Sequence, residues 1–200
     1  MSKKFYPFIF LAFMLFSATT SPVIKVTDND ICLNSEEEKL FKLIQEYRKS
    51  EGLPPIPFSV ALTKVAKAHV KDLNENHPDI KNCNAHSWSD KGQWKGCCYT
   101  SDHKEASCMW NKPRELTNYK GNGYEIAFGS SDPIYRSYIA TAEDALDGWK
   151  NSPGHNNVIL NKEIWKKSPW KGMGLAVSGS FAVVWFGEEP DENSKFSICK

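Results

Sequence analysis

The stretch GMGLAVSGSFAVVWFG, residues 172–187, decides the fold class of this chain. Its first half alternates large apolar residues with glycine and alanine, which predicts a β-strand. Ser178 and Gly179 predict a tight turn, after which the chain returns through residues 181–186 as a second strand. Because both faces of this returning run are apolar, we expect it to lie in the centre of a sheet that helices cover on both sides.

Three helical patterns precede this hairpin. The first begins at a predicted capping box, in which Ser35 caps the helix and Glu38 follows three residues later, and it ends at Gly52. Ser59 and Thr141 are predicted to cap the second and third helices. Since helices come first and an antiparallel hairpin comes last, without strands and helices alternating, the sequence predicts an α+β fold.

The chain begins with the layout of a secretory signal peptide. Lys3 and Lys4 precede an apolar run over residues 8–16, and small residues follow up to residue 20, where we predict cleavage. The expected location is therefore secreted, either extracellular or periplasmic. No later apolar run predicts a transmembrane segment.

The charge of the chain disfavours two classes of partner. The whole chain carries +1 at pH 7, and loss of the two lysines in the predicted signal peptide takes it to −1. Binding to nucleic acid or to an anionic membrane rests on clustered Lys and Arg. A nearly neutral chain without a basic block therefore predicts no nucleic-acid partner and disfavours an anionic membrane.

An even number of cysteines in an exported chain indicates disulfide bonds. The six cysteines are Cys32, Cys83, Cys97, Cys98, Cys108 and Cys199. A bond between Cys32 and Cys199 would join the two ends of the mature chain. The neighbours Cys97 and Cys98 would then each bond with Cys83 or Cys108, in either order. The rival interpretation is a zinc cluster that combines some of these four cysteines with His86 and His103.

From residue 82 to residue 122 the sequence loses helical and strand periodicity, which predicts a long loop held by cross-links. This segment is rich in aromatic residues: Trp88, Trp94, Tyr99, Trp110 and Tyr119. These side chains have two interpretations. They offer contact surface for a hydrophobic ligand or a protein partner, or they pack the loop onto the body of the domain.

Three separate polar residues are candidates for a functional site: His86 in NAHSW, Glu125 in GYEIAFG and His155 in SPGHNNVIL. Glu125 is a lone acid in an apolar stretch, where a carboxylate is seldom buried without a partner. His155 follows a Pro-Gly turn at a predicted helix start, where the helix dipole favours the neutral imidazole that a metal needs. His69 lies on the apolar face of the second helix, and we interpret it as a packing residue with one hydrogen bond, outside the site.

The order and spacing of several motifs resemble the CAP superfamily, which includes cysteine-rich secretory proteins, venom antigens and plant pathogenesis-related proteins. The motifs are EEEKLFKLIQEYRKSEGLPP, AKAHVKDL, HSW, GYEIAFG, ALDGWKNSPGHNNVIL and GMGLAVSGSFAVVWFG, spread over about residues 35–187. The W-x-x-S-P-G-H-x-x-x-I-L element resembles the short bacterial-type members. The resemblance implies an α-β-α sandwich with a central antiparallel sheet. It also implies a cleft in which two histidines and acidic residues bind a divalent cation in several members.

Carried over by position, His86 and His155 match the two cleft histidines, and Glu125 matches a cleft glutamate. The resemblance therefore predicts these three residues as ligands of zinc or another divalent cation. The family's second glutamate has no counterpart, because Trp149-Lys150-Asn151-Ser152 contains no acid. We assign no catalytic residue, although the same three residues are the candidates.

The resemblance favours a secreted binding module, whose partner is an extracellular protein or a lipid- or sterol-like ligand. The alternative is a zinc-dependent hydrolase that uses metal-bound water. The predicted domain organisation is a signal peptide at 1–20, an N-terminal segment at 21–34, a CAP domain at 35–187 with a Cys-rich insertion at about 83–120, and an acidic tail at 188–200 that Cys199 ties down.

Overall fold

The computed structural model describes residues 31–135 and 137–200, so the predicted signal peptide and most of the N-terminal segment lie outside the described residues. The elements in chain order are β1 (Cys32–Leu33), α1 (Ser35–Ser50), α2 (Val60–Asn76), α3 (Ala106–Leu116), β2 (Gly123–Phe128), α4 (Ala142–Lys150), α5 (Pro153–Ile159), β3 (Gly172–Ser178), β4 (Phe181–Gly187) and β5 (Ser197–Ile198). Short 3-10 helices lie at Pro133–Tyr135 and Glu163–Trp165. Within the described ranges, no helix has the length and apolar character needed to cross a bilayer.

Side-chain caps fix where the helices begin. The N-cap of α1 is Asn34, whose side chain accepts a hydrogen bond from the backbone N–H of Glu37, while the Glu37 carboxylate accepts one from the backbone N–H of Asn34. The predicted capping box therefore exists, but the prediction of Ser35 as its first residue is wrong by one position. Ser59 and Thr141 cap α2 and α4, as predicted.

The main sheet has the strand order β2-β4-β3, and both pairings are antiparallel. β4 is therefore the central strand, as predicted, and all of its residues are buried. Val184 and Phe186 pack into a core shared with α1 and α4. Val183 and Trp185 pack into a second core shared with α2 and α3. Helices thus cover both faces of the sheet, which confirms the predicted α+β class and the α-β-α sandwich.

Helix α2 lies directly against β3 at Gly174. A Cβ atom at this position would lie 2.2 Å from backbone atoms of Leu62 and Thr63, so a larger residue would push the helix off the sheet. This close approach fixes the distance between the sheet and the side chains that α2 projects toward it.

The segment between α2 and β2 contains a helix that the sequence does not predict. α3 (Ala106–Leu116) has no side-chain cap at its start and contains Pro113, so it lacks the usual signals of a helix. It packs through buried Met109 and through Lys112, whose ammonium group lies 5.1 Å from the centre of the Trp88 ring. The prediction of a loop without secondary structure is therefore wrong for this part of the segment.

Most of the aromatic side chains in this segment pack it onto the domain. Trp88, Tyr99 and Tyr119 are buried, and Trp94 is half-buried against the same core. Only Trp110 of the five is exposed, at 39%. Of the two interpretations of these residues, packing holds for all but Trp110.

All six cysteines form disulfide bonds. They pair as Cys32–Cys199, Cys83–Cys98 and Cys97–Cys108. The first bond joins the two ends of the domain, as expected, beside the parallel pairing of β1 with β5. The zinc-cluster interpretation is wrong, because the described residues include no free cysteine that could bind zinc as a thiolate.

Candidate functional site

Glu125 lies at the centre of a buried network between the sheet and α2. Its side chain is fully buried, with Oε1 2.6 Å from Nδ1 of His69 and Oε2 2.9 Å from Nδ1 of His86. An ionised carboxylate can only accept hydrogen bonds, so both imidazoles donate from Nδ1–H. The carboxylate therefore joins strand β2 to helix α2 and to the segment that follows it.

His69 uses both of its ring nitrogens. Its Nε2 lies 2.9 Å from the backbone oxygen of Ser87, which is also an acceptor. Because each nitrogen faces an acceptor, both carry hydrogens, and the ring is an imidazolium paired with the Glu125 carboxylate. The ring also stacks on Trp88, with the two centroids 4.1 Å apart. The interpretation of His69 as a packing residue with one hydrogen bond is therefore wrong, and His69 belongs to the site.

The two imidazoles keep the Glu125 carboxylate ionised. Burial acts to raise the pKa of Glu125, but the charge of His69 and the hydrogen bonds from His69 and His86 outweigh it. The net result is a pKa of Glu125 below its usual value. The ionised Glu125 therefore contacts His86 and acts electrostatically on His155, the two predicted cleft histidines.

His86 is the partly exposed member of the network, with 17% of its side chain accessible. Its backbone N–H donates to the Asn84 side chain, and the Cys83–Cys98 bond holds the chain three residues before it. Because Nδ1–H donates to Glu125, the ring of His86 carries its lone pair on Nε2 whenever it is neutral. The protein therefore fixes both the orientation and the tautomer of His86.

His155 lies in the first turn of α5 and close enough to the network to feel its charges. The pKa of His155 is lowered to about 4, mainly by burial and also by the charge of a protonated His86, while the charge of Glu125 acts in the opposite direction. The ring is therefore neutral at pH 7, as the sequence predicts, although burial is the main cause. The three predicted residues thus lie in one region of the domain, and His69 is the member that the sequence missed.

The stability of the domain is expected to fall as the pH drops from 6.5 toward 4. In this window His155 is protonated in the unfolded chain but neutral in the folded chain. Proton binding therefore stabilises the unfolded chain, and the free energy of unfolding falls as the pH drops. We expect His155 to contribute a loss of roughly 2 kcal/mol between pH 7 and pH 5. Urea unfolding of the wild type and of His155→Gln at both pH values isolates this contribution. An identical pH dependence in the two proteins would contradict it.

The network does not form a three-ligand metal site in this arrangement. Within residues 31–135 and 137–200 there is no group of three or more His, Cys, Asp or Glu side chains placed to hold one metal ion. Both oxygens of Glu125 already accept hydrogen bonds from imidazoles, so this carboxylate orients His86 rather than facing an external ion. Metal binding by His86, Glu125 and His155 stays a prediction, and we derive no chemical step through a metal.

The buried imidazolium could have been found from the sequence by pairing two requirements. A histidine on a fully apolar helix face needs acceptors for its ring nitrogens, and a lone acid in an apolar strand needs donors. His69 and Glu125 are the two residues that meet these descriptions in the second helix and in the GYEIAFG strand. Neither signal alone indicates which partner the fold supplies.

Comparison with known proteins identifies the family of this chain. The sequence model of the cysteine-rich secretory protein (CAP) family matches residues 41–187. Among solved structures, an extracellular SCP-domain protein of Bacillus anthracis is 21% identical with a TM-score of 0.50, over 77% of this chain and 40% of that chain. No curated protein is significantly similar in sequence to this chain.

Two further solved structures have the same kind of likeness. An outer surface protein of Borrelia burgdorferi is 18% identical, with a TM-score of 0.49, over 76% of this chain and 91% of that chain. A cysteine-rich secretory protein of Staphylococcus aureus is 15% identical, with a TM-score of 0.47, over 77% of this chain and 39% of that chain. The chain thus spans about two fifths of the length of the Bacillus and Staphylococcus proteins. Because the family model covers well over half of the chain, the chain belongs to the cysteine-rich secretory protein (CAP) family.

Proposed function

We propose that this CAP-domain protein is a secreted binding module whose ligand site contains His86 and His155 beside the buried Glu125. The observation that carries the proposal is the state of His86. Its Nδ1–H is committed to Glu125, whereas its Nε2 has no protein partner in the described part of the chain. Such an imidazole is oriented in advance for a ligand that approaches Nε2, which lowers the entropic cost of binding.

The disulfide bonds support the proposed extracellular location. The domain holds three disulfide bonds, which form and persist in secreted proteins. Two of these bonds fix the segment that carries His86, so the site is held by covalent links as well as by the Glu125 network. Such a scaffold keeps its shape without a bound partner.

An apolar ligand is supported by a separate groove at the end of β2, which none of His86, Glu125 and His155 lines. The groove has a volume of about 360 Å³ and is lined by Phe128, Gly129, Ser130, Tyr135 and Tyr138. Its size and aromatic lining suit a small hydrophobic molecule. A lipid- or sterol-like ligand is therefore one occupant that we propose for this module, and an extracellular protein is the other.

Uptake of a divalent cation by the imidazoles of His86 and His155 is the testable part of the proposal. We expect zinc to bind with one equivalent, weakly, because His86 and His155 supply two ligands where structural zinc sites have four. Calorimetric titration with zinc chloride measures the stoichiometry, and His86→Gln and His155→Gln should each abolish the heat.

The matched control for this titration is His77→Gln, which changes an exposed histidine at the end of α2. It should bind zinc as the wild type does. Heat that persists in the His155→Gln protein, or that disappears in the His77→Gln protein, would place the ion elsewhere. The hydrolase alternative stays a prediction. We favour the binding role over it, because both oxygens of Glu125 accept hydrogen bonds and Glu125 is therefore not free to act as a general base.

A further inference from the structure

The loop between α5 and β3 presents apolar and basic side chains together at the surface. Ile164 is 84% exposed, the highest value among the large apolar residues of the described chain. Residues 162–171 contain four lysines against one acid, Glu163. The near-neutral charge of the whole chain hides this local excess of positive charge. We call residues 162–171 the basic loop.

The lysines of the basic loop are mostly free of ion pairs. Lys162 lies 3.5 Å from Glu51, but Lys166, Lys167 and Lys171 are exposed and form no ion pair within the described residues. Their charge is therefore available to an external partner. Anionic lipid headgroups attract such lysines near the membrane surface.

The backbone of the basic loop is held firmly while Ile164 projects from it. The Asn161 side chain donates to the backbone oxygens of Trp165 and Ser168, at 3.4 and 2.6 Å. The Trp165 ring packs on Tyr124 and Trp170, with centroid distances of 5.1 and 5.5 Å. Trp170 in turn donates from its indole N–H to the backbone oxygen of Val158. The exposed tip is thus presented by an ordered base.

We propose that the basic loop docks the protein on anionic phospholipid membranes. Ile164 enters the boundary between headgroups and acyl chains, Trp165 lies at the level of the headgroups, and Lys166, Lys167 and Lys171 contact their phosphates. An aliphatic tip, an aromatic ring with a polar edge, and a ring of lysines are the chemistry of interfacial binding. A projecting tip of this kind suits a fluid surface, because it needs no complementary groove in the partner.

Sedimentation with vesicles tests the proposal. The wild type is expected to bind vesicles of phosphatidylcholine and phosphatidylglycerol at 7:3 and to bind pure phosphatidylcholine far more weakly. Each lysine near an anionic surface is worth about fivefold in binding, so Lys166→Gln/Lys167→Gln should weaken binding roughly 25-fold. Ile164→Ser should weaken vesicle binding by at least about tenfold, because the variant has no apolar side chain here to transfer from water into the membrane.

Two control variants match these changes at other surfaces. Lys91→Gln/Lys104→Gln removes the same charge from the Cys-rich insertion, and Ile134→Ser removes an isoleucine that is 76% exposed. Both are expected to bind like the wild type, with unchanged melting curves for all four variants. Equal loss in either control, or no binding to anionic vesicles at low salt, would overturn the proposal. Vesicle binding that depends on the lysines but not on Ile164 would overturn the insertion of Ile164, because electrostatic attraction to the headgroups would then account for all of the binding.

Discussion

Replacing Glu125 by alanine is expected to lower the free energy of unfolding by roughly 3–5 kcal/mol. The substitution leaves the His69 imidazolium fully buried without its counter-charge and leaves the His86 N–H without its acceptor. Domains of this size are stable by only about 5–15 kcal/mol, so the variant should lie close to the unfolding threshold. Urea denaturation at pH 7, followed by circular dichroism, measures the loss.

The control for this experiment is Glu46→Ala, which removes an exposed glutamate from α1. It should change stability by less than about 0.5 kcal/mol. The double variant His69→Ala/Glu125→Ala should lose less than the sum of the two single variants, because it leaves no unpaired charge. A Glu125→Ala protein as stable as the Glu46→Ala control would show that the buried pair does not exist in solution.

Removing the Cys32–Cys199 bond by substituting both cysteines with serine is expected to cost about 5 kcal/mol. The bond closes a loop with a sequence separation of 167, so its loss gives the unfolded chain much more conformational freedom. The folded domain should otherwise keep its structure, because neither cysteine belongs to the three-stranded sheet or to the two cores on its faces. Urea unfolding without reductant gives the difference in the free energy of unfolding.

The comparison variant is Cys97→Ser/Cys108→Ser, which opens a loop with a separation of only 11. Its expected cost is about 3 kcal/mol, smaller than that of the terminal bond. The order of the two losses is the test of this explanation. A larger loss for the short loop would mean that contacts around Cys97 and Cys108, rather than chain entropy, carry the stabilisation.

The parts of the fold that local chemistry dictates could be predicted from the sequence. The hairpin of β3 and β4 follows from alternating apolar residues and a Ser-Gly turn, and the caps at Ser59 and Thr141 follow from side-chain hydrogen bonds within one turn. α3 could not be predicted in this way. It has no side-chain cap and contains Pro113, and it is held by the Cys97–Cys108 bond and by contacts with distant Trp88.

The candidate site could be predicted only in part, for the same reason. His86, Glu125 and His155 carry motif signals, and the structure brings them into one region. His69 stands 56 positions before Glu125, and its helix pattern indicates nothing but burial. The pairing of a buried imidazolium with a buried carboxylate is a property of the folded chain, since it requires α2 to lie against the sheet.

Whole-chain charge was the least informative sequence property. It disfavours an anionic membrane, yet the basic loop concentrates lysines around an exposed isoleucine. An average over the chain cannot describe a surface on which charges of one sign are segregated. The distribution of charge, rather than its sum, decides which partners the surface attracts.

The bond between Cys32 and Cys199 also changes what a protease can do to this domain. Cleavage of any single peptide bond between those two cysteines leaves both fragments covalently attached, and the buried cores continue to hold them together. Two cuts are needed before any piece can diffuse away. A nicked molecule can therefore keep its surfaces in place.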